Sequence, residues 1–233
     1  MAVIHRTTLT PNKLELLATW LPAQPWYLGN GTDGPELEKA GGFRLDDPAG
    51  EVGIEFMAVR DEAGDGPPVT YLAPMTYRGA PLAGVADAAL IGTTEHGVLG
   101  RRWVYDGAHD RVLVAQLFAL VLGEAEPQAQ SLTDTPDPTV AGYFAEKAAE
   151  YAAGVNSGVT DGPTGTAVLV RAETPGGERE LAFHLNRVLR PGEDEAHEAD
   201  EAVLGHVTAN WLLADGGSAR GRYAVVNEAG RAG

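Results

Sequence analysis

The stretch Val52-Gly53-Ile54-Glu55-Phe56-Met57-Ala58-Val59 reads as a β-strand, with Ile54, Phe56 and Ala58 alternating against Glu55 and Met57. A two-residue period is that of a strand with one buried face. Residues 61–68 carry Gly64, Gly66, Pro67 and Pro68, a loop, and Val69 to Tyr77 is the returning strand. Phe43-Arg44-Leu45 is a short strand candidate before this pair, after a polar, glycine-rich loop at 29–41. Ala88–Ile91 and Arg101–Tyr105 follow it, bridged by Thr93-Thr94-Glu95-His96-Gly97. The pattern is an antiparallel meander.

Helical periods flank it. Thr10-Pro11 is a helix start, a hydroxyl followed by proline at the first turn. Leu14, Leu17, Ala18 and Leu21 then recur at helical spacing until Pro22. Asp110 caps a second helix that runs to about Leu122, with Gly123 just past its end. That helix is apolar on nearly every side and is expected to be central. Asp137-Pro138 opens a third, with Phe144, Ala148, Tyr151 and Ala152 on one face and Gly154 as its stop.

Beyond the glycine-rich residues 155–165, read as a mobile loop, the chain returns to β. Thr166–Ala172 and Arg179–Leu185 flank a turn at Pro175-Gly176-Gly177. Val207–Leu213 and Arg220–Val226 flank Asp215-Gly216-Gly217, a hairpin signal. Residues 193–204 are acidic with helical character. The domains expected are 1–123, a linker with one helix at 124–165, and a β-rich region at 166–233. The fold class expected is α+β, a curved antiparallel sheet with packed helices.

At 233 residues the chain is long enough to bury a substantial core. Thirty-three acids against 17 bases give a net charge of −16, which repels phosphate backbones and anionic membranes. Nucleic acid and membrane are therefore not expected as partners. The absence of cysteine excludes disulfides, thiol nucleophiles and Cys-ligated metals. Met1 to Arg6 lacks the apolar core of a signal peptide, and the run Val112–Leu122 is short of the about 20 residues a bilayer requires. A soluble cytoplasmic protein is expected.

Two segments carry a family resemblance. "WLPAQPWYLG", residues 20–29, resembles the start of maltokinases, where a helix ends in Trp-Leu and Trp and Tyr follow shortly. "ALIGTTEHGVLGRRWVYDGAHD", residues 89–110, resembles the end of their N-terminal cap, where a strand ending in Tyr-Asp leads into a helix. Residues 10–122 thus resemble the whole cap, which implies a small cystatin-like unit preceding a kinase whose catalytic and metal-binding residues lie far downstream. The tail resembles the first strands of that kinase, with "RVLRPG", residues 187–192, as its best-preserved piece. Aligned there, the expected phosphate-binding lysine falls near His184. A neutral imidazole is a poor substitute for an ammonium on phosphates. The tail then reads as a pseudokinase remnant, the β-rich region of a kinase N-lobe without its catalysis.

Candidate binding residues are few. Trp26 and Tyr27 read as a sugar-stacking or partner-binding surface, or as the anchor of the first helix on the sheet. The anchor is favoured for tryptophan in a chain turn. His96 and His109, with Glu95, Asp106 and Asp110, offer an acid/base or metal-binding set; helix capping explains His109 and Asp110 equally well. Arg101, Arg102 and Trp103 offer a receptor for an anionic ligand such as a sugar phosphate, or simple pairing with Asp106 or Asp110. The acidic run Glu193–Glu201 lacks the order of a calcium loop and reads as a solvated face. Neither Ser157 nor Ser218 lies in a Gly-x-Ser-x-Gly elbow.

No catalytic residue, metal or cofactor is expected. The reading preferred is a stand-alone, non-catalytic cap-like module in α-glucan, maltose or related sugar metabolism. It would act through a protein partner, such as a sugar kinase or a glucan-metabolism enzyme, or through a small sugar ligand. The alternatives are an enzyme using the histidine and carboxylate set on a sugar or anionic substrate, and a subunit completing a separate sugar kinase.

Overall fold

The computed structural model describes residues 9–29, 34–132, 134–145, 151–192 and 203–230. The elements are β1 (Leu9–Thr10), α1 (Lys13–Trp20), β2 (Leu37–Leu45), β3 (Gly53–Asp61), β4 (Val69–Arg78), β5 (Leu90–His96), β6 (Gly100–Asp106) and α2 (Arg111–Val121). There follow β7 (Gln128–Ala129), β8 (Ala141–Phe144), β9 (Ala152–Asp161), β10 (Gly165–Thr174), β11 (Gly177–Asn186), β12 (Val203–Leu212) and β13 (Ser218–Glu228).

All 13 strands join one antiparallel sheet, ordered β1-β5-β6-β4-β3-β2-β12-β13-β11-β10-β9, with β7 on β2 and β8 on β12. Among the described residues strands make up 49% and helical turns of all kinds 14%, so the two short helices are no packed layer and the fold is mostly β. This corrects the expected α+β class. The sheet also runs back on itself. Just past β11, Leu72 N–H donates to Arg187 O at 2.9 Å and Leu189 N–H to Thr70 O at 2.8 Å, with Tyr71 opposite Val188. The run β4-β3-β2-β12-β13-β11 is thereby closed into a ring.

Two apolar clusters lie on opposite faces of β3 and β4. Leu113, Leu117 and Phe118 of α2 pack with Phe43, Ile54, Phe56, Val168, Phe183, Trp211 and Tyr223. Leu16, Leu17 and Trp20 of α1 pack with Met57, Val59, Tyr71, Ala73 and Met75. Strand β3 is therefore buried on both faces, Glu55 included, where the alternation had one face exposed. Helix α2 is central, as its uniformly apolar surface implies, and Asp110 caps it by accepting from Val112 N–H at 3.0 Å. Helix α1 starts later than Thr10-Pro11. Asn12 is its cap, accepting from Leu14 and Glu15 N–H, and Glu15 reaches back to Asn12 N–H in a capping box.

Strand β2 begins at Leu37, inside the stretch read as loop, and bends at Gly41-Gly42. Both glycines have positive φ, +141° and +124°. At Gly41 the strand meets Trp211 of β12, the point where N-terminal and C-terminal strands join. A Cβ on Gly42 would sit 2.0 Å from Phe56 O, so only glycine fits.

The third helix is absent from the described part of its span. Residues 141–144 form β8 against β12, and residues 152–161 form β9 against β10; residues 146–150 lie outside the described residues. Phe144 and Tyr151, spaced for one helix face, instead meet edge to face from two separate segments, 5.0 Å apart. The tertiary partner overrides a weak local preference. The glycine-rich stretch read as mobile is mostly β9, with its turn confined to 162–164. The acidic residues 193–201 lie outside the described residues.

Candidate functional site

Strand β11 places Leu181, Phe183 and Leu185 inward at a two-residue period, and the chain keeps that period through Arg187 and Leu189. Arg187 is thus a cation at a core position, fully buried. Its Nη2 donates to Asp106 Oδ2 at 2.5 Å and its Nε to Thr166 Oγ1 at 2.7 Å. The guanidinium lies over the Trp26 ring, 5.0 Å from the centroid. Asp106 also holds the turn that leads into α2, accepting from Ala108 N–H at 3.2 Å. Thr166 in turn donates its hydroxyl to Asp161 Oδ1. Asp106 and Trp26 come from the N-terminal strands and loop, Arg187 and Thr166 from the C-terminal hairpin, so one buried charge pair joins the two.

Trp26 is fully buried and packs edge-on to Trp20 at 5.7 Å and against Tyr71 at 6.0 Å. Tyr27 lies tilted against Tyr71 at 5.5 Å and donates its hydroxyl to Asp61 Oδ2 at 2.9 Å. Burial first, then the Asp61 carboxylate, raises the Tyr27 hydroxyl well above its ordinary range. Tyr71 in turn accepts from Leu28 N–H at 3.0 Å, which leaves the Leu28 side chain outward, 56% exposed.

Leu28 forms one wall of a cleft of about 660 Å³. The opposite wall is the outer face of β10 and β11 and the turn before β10, with Thr160, Pro163, Thr164, Thr166, His184, Asn186, Val188 and Arg190. Gly165 is fixed there by crowding, since a Cβ would sit 2.4 Å from Leu185 O. His184, where the resemblance puts a phosphate-binding lysine, shares this cleft with the Gly162–Gly165 turn. Burial lowers its imidazole below the ordinary range.

The other candidates are spread along the β5–β6 hairpin. His96 pairs with Gly100 at one end of β6, while His109 ends the short turn beyond its other end. Six residue-to-residue steps of strand separate these ends, about 20 Å. The paired-histidine arrangement is therefore not formed. His96 Nδ1 accepts from Leu99 N–H at 3.1 Å and closes its own turn. Arg101 lies near Glu95, at 3.6 Å, and over Trp103, 5.9 Å from its ring. Arg102 donates to Leu99 O at 3.1 Å. Neither arginine meets Asp106 or Asp110, as their proximity in sequence suggested. Asp106 belongs to Arg187, and Asp110 takes a two-pronged bond from Arg78 at 2.6 and 2.7 Å.

A second buried carboxylate, Glu55, collects Lys13 Nζ at 2.7 and 2.8 Å, Tyr77 Oη at 2.7 Å and Gln130 Nε2 at 2.7 Å. Burial would raise this carboxyl, but the Lys13 ammonium and the donated hydrogen bonds outweigh it and hold it below the ordinary range. Among the described residues no group of three or more His, Asp or Glu is arranged to hold a metal ion. None of the described helices is long and apolar enough to cross a membrane.

Sequence reasoning passed over Arg187 and Thr166 as site residues, and named Asp106 with other partners. The available signal was a charged residue continuing the inward period of β11.

A comparison with curated proteins gives no match. A comparison with protein families gives one for residues 20–110, the maltokinase N-terminal cap domain. The matched span begins at Trp20, ends at Asp110 and takes in both segments that carry the resemblance. Over residues 20–110 the chain is similar to the maltokinase N-terminal cap domain.

Proposed function

We propose that the protein is a non-catalytic cap-like module, accessory to α-glucan, maltose or related sugar metabolism. It works through contacts with a partner enzyme or a small ligand. The observation that carries this reading is the cap match over residues 20–110. Two features of the site support it. Asp106 and Asp110 are each committed to a buried or half-buried arginine, which leaves neither free as a general base. His184 stands in the tail where the resemblance to a kinase puts the phosphate-binding lysine, which a pseudokinase reading does not require. A kinase places that lysine on its third strand, under a glycine-rich turn. Here an imidazole lines the cleft beside the 162–165 turn, an arrangement suited to holding a ligand but not to stabilising a transferring phosphoryl group.

The test is a phosphoryl-transfer assay with ATP and magnesium on glucose, maltose and glucosamine. No turnover above buffer is expected. Phosphorylation of any of the three, abolished by substituting a residue of this chain, overturns the reading.

A further inference from the structure

The cleft beside Leu28 has a lining unusual for this protein. The sequence carries 33 acidic residues against 17 basic ones, yet among the described residues no carboxylate lines the cleft. The nearest acid in sequence, Asp161, is engaged by the Thr166 hydroxyl. The charged or titratable groups that do line it are nitrogen bases, His184 and Arg190. Neither side chain has a hydrogen-bond or ion-pair partner among the described residues. Thr160 and Thr164, exposed on the same wall, add two hydroxyl donors. Behind them the buried Arg187 leaves its Nη1 unpaired, and the adjacent Trp26 leaves its indole N–H unpaired.

A recess whose described lining carries no acid, in an acid-rich chain, is a local minimum of repulsion for anions, and the donors along it add directional bonds. Leu28, Pro163 and Val188 supply apolar wall. The volume is that of a small-molecule site.

We infer that this cleft binds a small organic oxyanion, with its charged end at Arg190 and His184 and its body against Leu28 and Pro163. A phosphate monoester fits the donor set best. A tetrahedral oxyanion can accept from a guanidinium, an imidazole N–H and two hydroxyls at once, whereas a carboxylate has fewer oxygens to share. The inference goes beyond the proposed function. Of the cleft lining only Leu28 lies in the cap-matching span, and binding here requires no catalysis.

The experiment is a titration of the full chain, at low salt, followed by amide chemical shifts and by calorimetry. The probes are glycerol 3-phosphate, inorganic phosphate, acetate and glycerol. Saturable binding of glycerol 3-phosphate is expected, with shifts at Gly162, Thr164 and Gly165 and none from glycerol. Inorganic phosphate, lacking a body, is expected to bind more weakly, and acetate more weakly still. Arg190→Gln and His184→Gln each lower the affinity about tenfold or more. Both positions are exposed, and unchanged thermal unfolding of the variants confirms an intact fold. Overturning results are the absence of saturable binding by any anion, or binding that survives both substitutions. Equal affinity for inorganic phosphate and glycerol 3-phosphate refutes the part assigned to Leu28 and Pro163. Phosphoryl transfer, measured separately, leaves these outcomes untouched, so failure of either proposal is visible on its own.

Discussion

Arg187 and Asp106 form a buried ion pair at 2.5 Å across 81 residues of sequence, one at the exit of β11 and the other at the end of β6. The same arginine covers Trp26 and bonds Thr166, so its guanidinium touches three chain segments at once. Around it the ring of strands closes and the cleft beside Leu28 takes its shape. The buried pair is neutral as a unit, but either half alone is a desolvated charge.

Gly42→Ala tests the bend of β2. Its Cβ would meet Phe56 O at 2.0 Å and its φ is +124°, so the strand must shift where it meets β12. Backbone strain of this kind costs on the order of 1–3 kcal/mol before any loss of pairing. A loss of at least about 2 kcal/mol in urea unfolding is expected. Gly64→Ala, also at positive φ but with open space around it, is expected to cost less.

Acid should weaken the fold. The Glu55 and Asp110 carboxyls are both held below their ordinary range: at each, burial pushes up and is outweighed, by Lys13 at Glu55 and by Arg78 at Asp110. A carboxyl depressed in the folded state contributes stability above its unfolded value, about pH 4, and loses it as pH falls through the folded value. These two carboxyls should therefore contribute fully from neutral pH to about 5 and lose their contribution below that, while His184, depressed by burial, adds a smaller fall that begins below its ordinary value of about 6.5. Glu55→Gln should be less stable at pH 7 and show a shallower fall between about pH 5 and 3. An unchanged slope in that variant would show that Glu55 takes no part.

Half-buried and fully buried aromatics should separate in cost. Trp26→Ala removes a fully buried indole and should cost about 3–5 kcal/mol. Trp103→Ala, half-buried on the β5–β6 hairpin, should cost clearly less, and Arg101→Ala, exposed there, should stay within about 0.5 kcal/mol of the parent. Equal costs at the two tryptophans would mean that Trp26 is not the anchor of α1 on the sheet.

How far the sequence carried the fold depended on period. Hairpins with a clean two-residue alternation, β10–β11 and β12–β13, and the capped apolar helix α2 were legible because local pattern and tertiary environment agree there. Phe144 and Tyr151 misled because apolar residues seven apart suit a helix face as well as two adjoining strands. The double-sided burial of β3 was invisible for a related reason. Met57 and Glu55 look like a solvent face until α1 is known to lie over them. The candidate site was legible in part: Trp26 and Tyr27 were singled out, and the anchor reading of Trp26 agrees with its burial. The partners that give Trp26 its setting, Arg187 and Asp106, meet only through ring closure between distant strands, which no local spacing encodes.

A double-mutant cycle on Asp106→Asn and Arg187→Met, by equilibrium urea unfolding of both single variants, the double variant and the parent, tests the joint itself. Removing one partner of a buried pair costs about 3–5 kcal/mol, whereas replacing both avoids the stranded charge. Single losses in that range with a double variant well short of their sum, a coupling of about 2 kcal/mol or more, are the predicted result. Additive losses, with a coupling near zero, would contradict the claim that this pair fastens the cap-matching strands to the C-terminal hairpin.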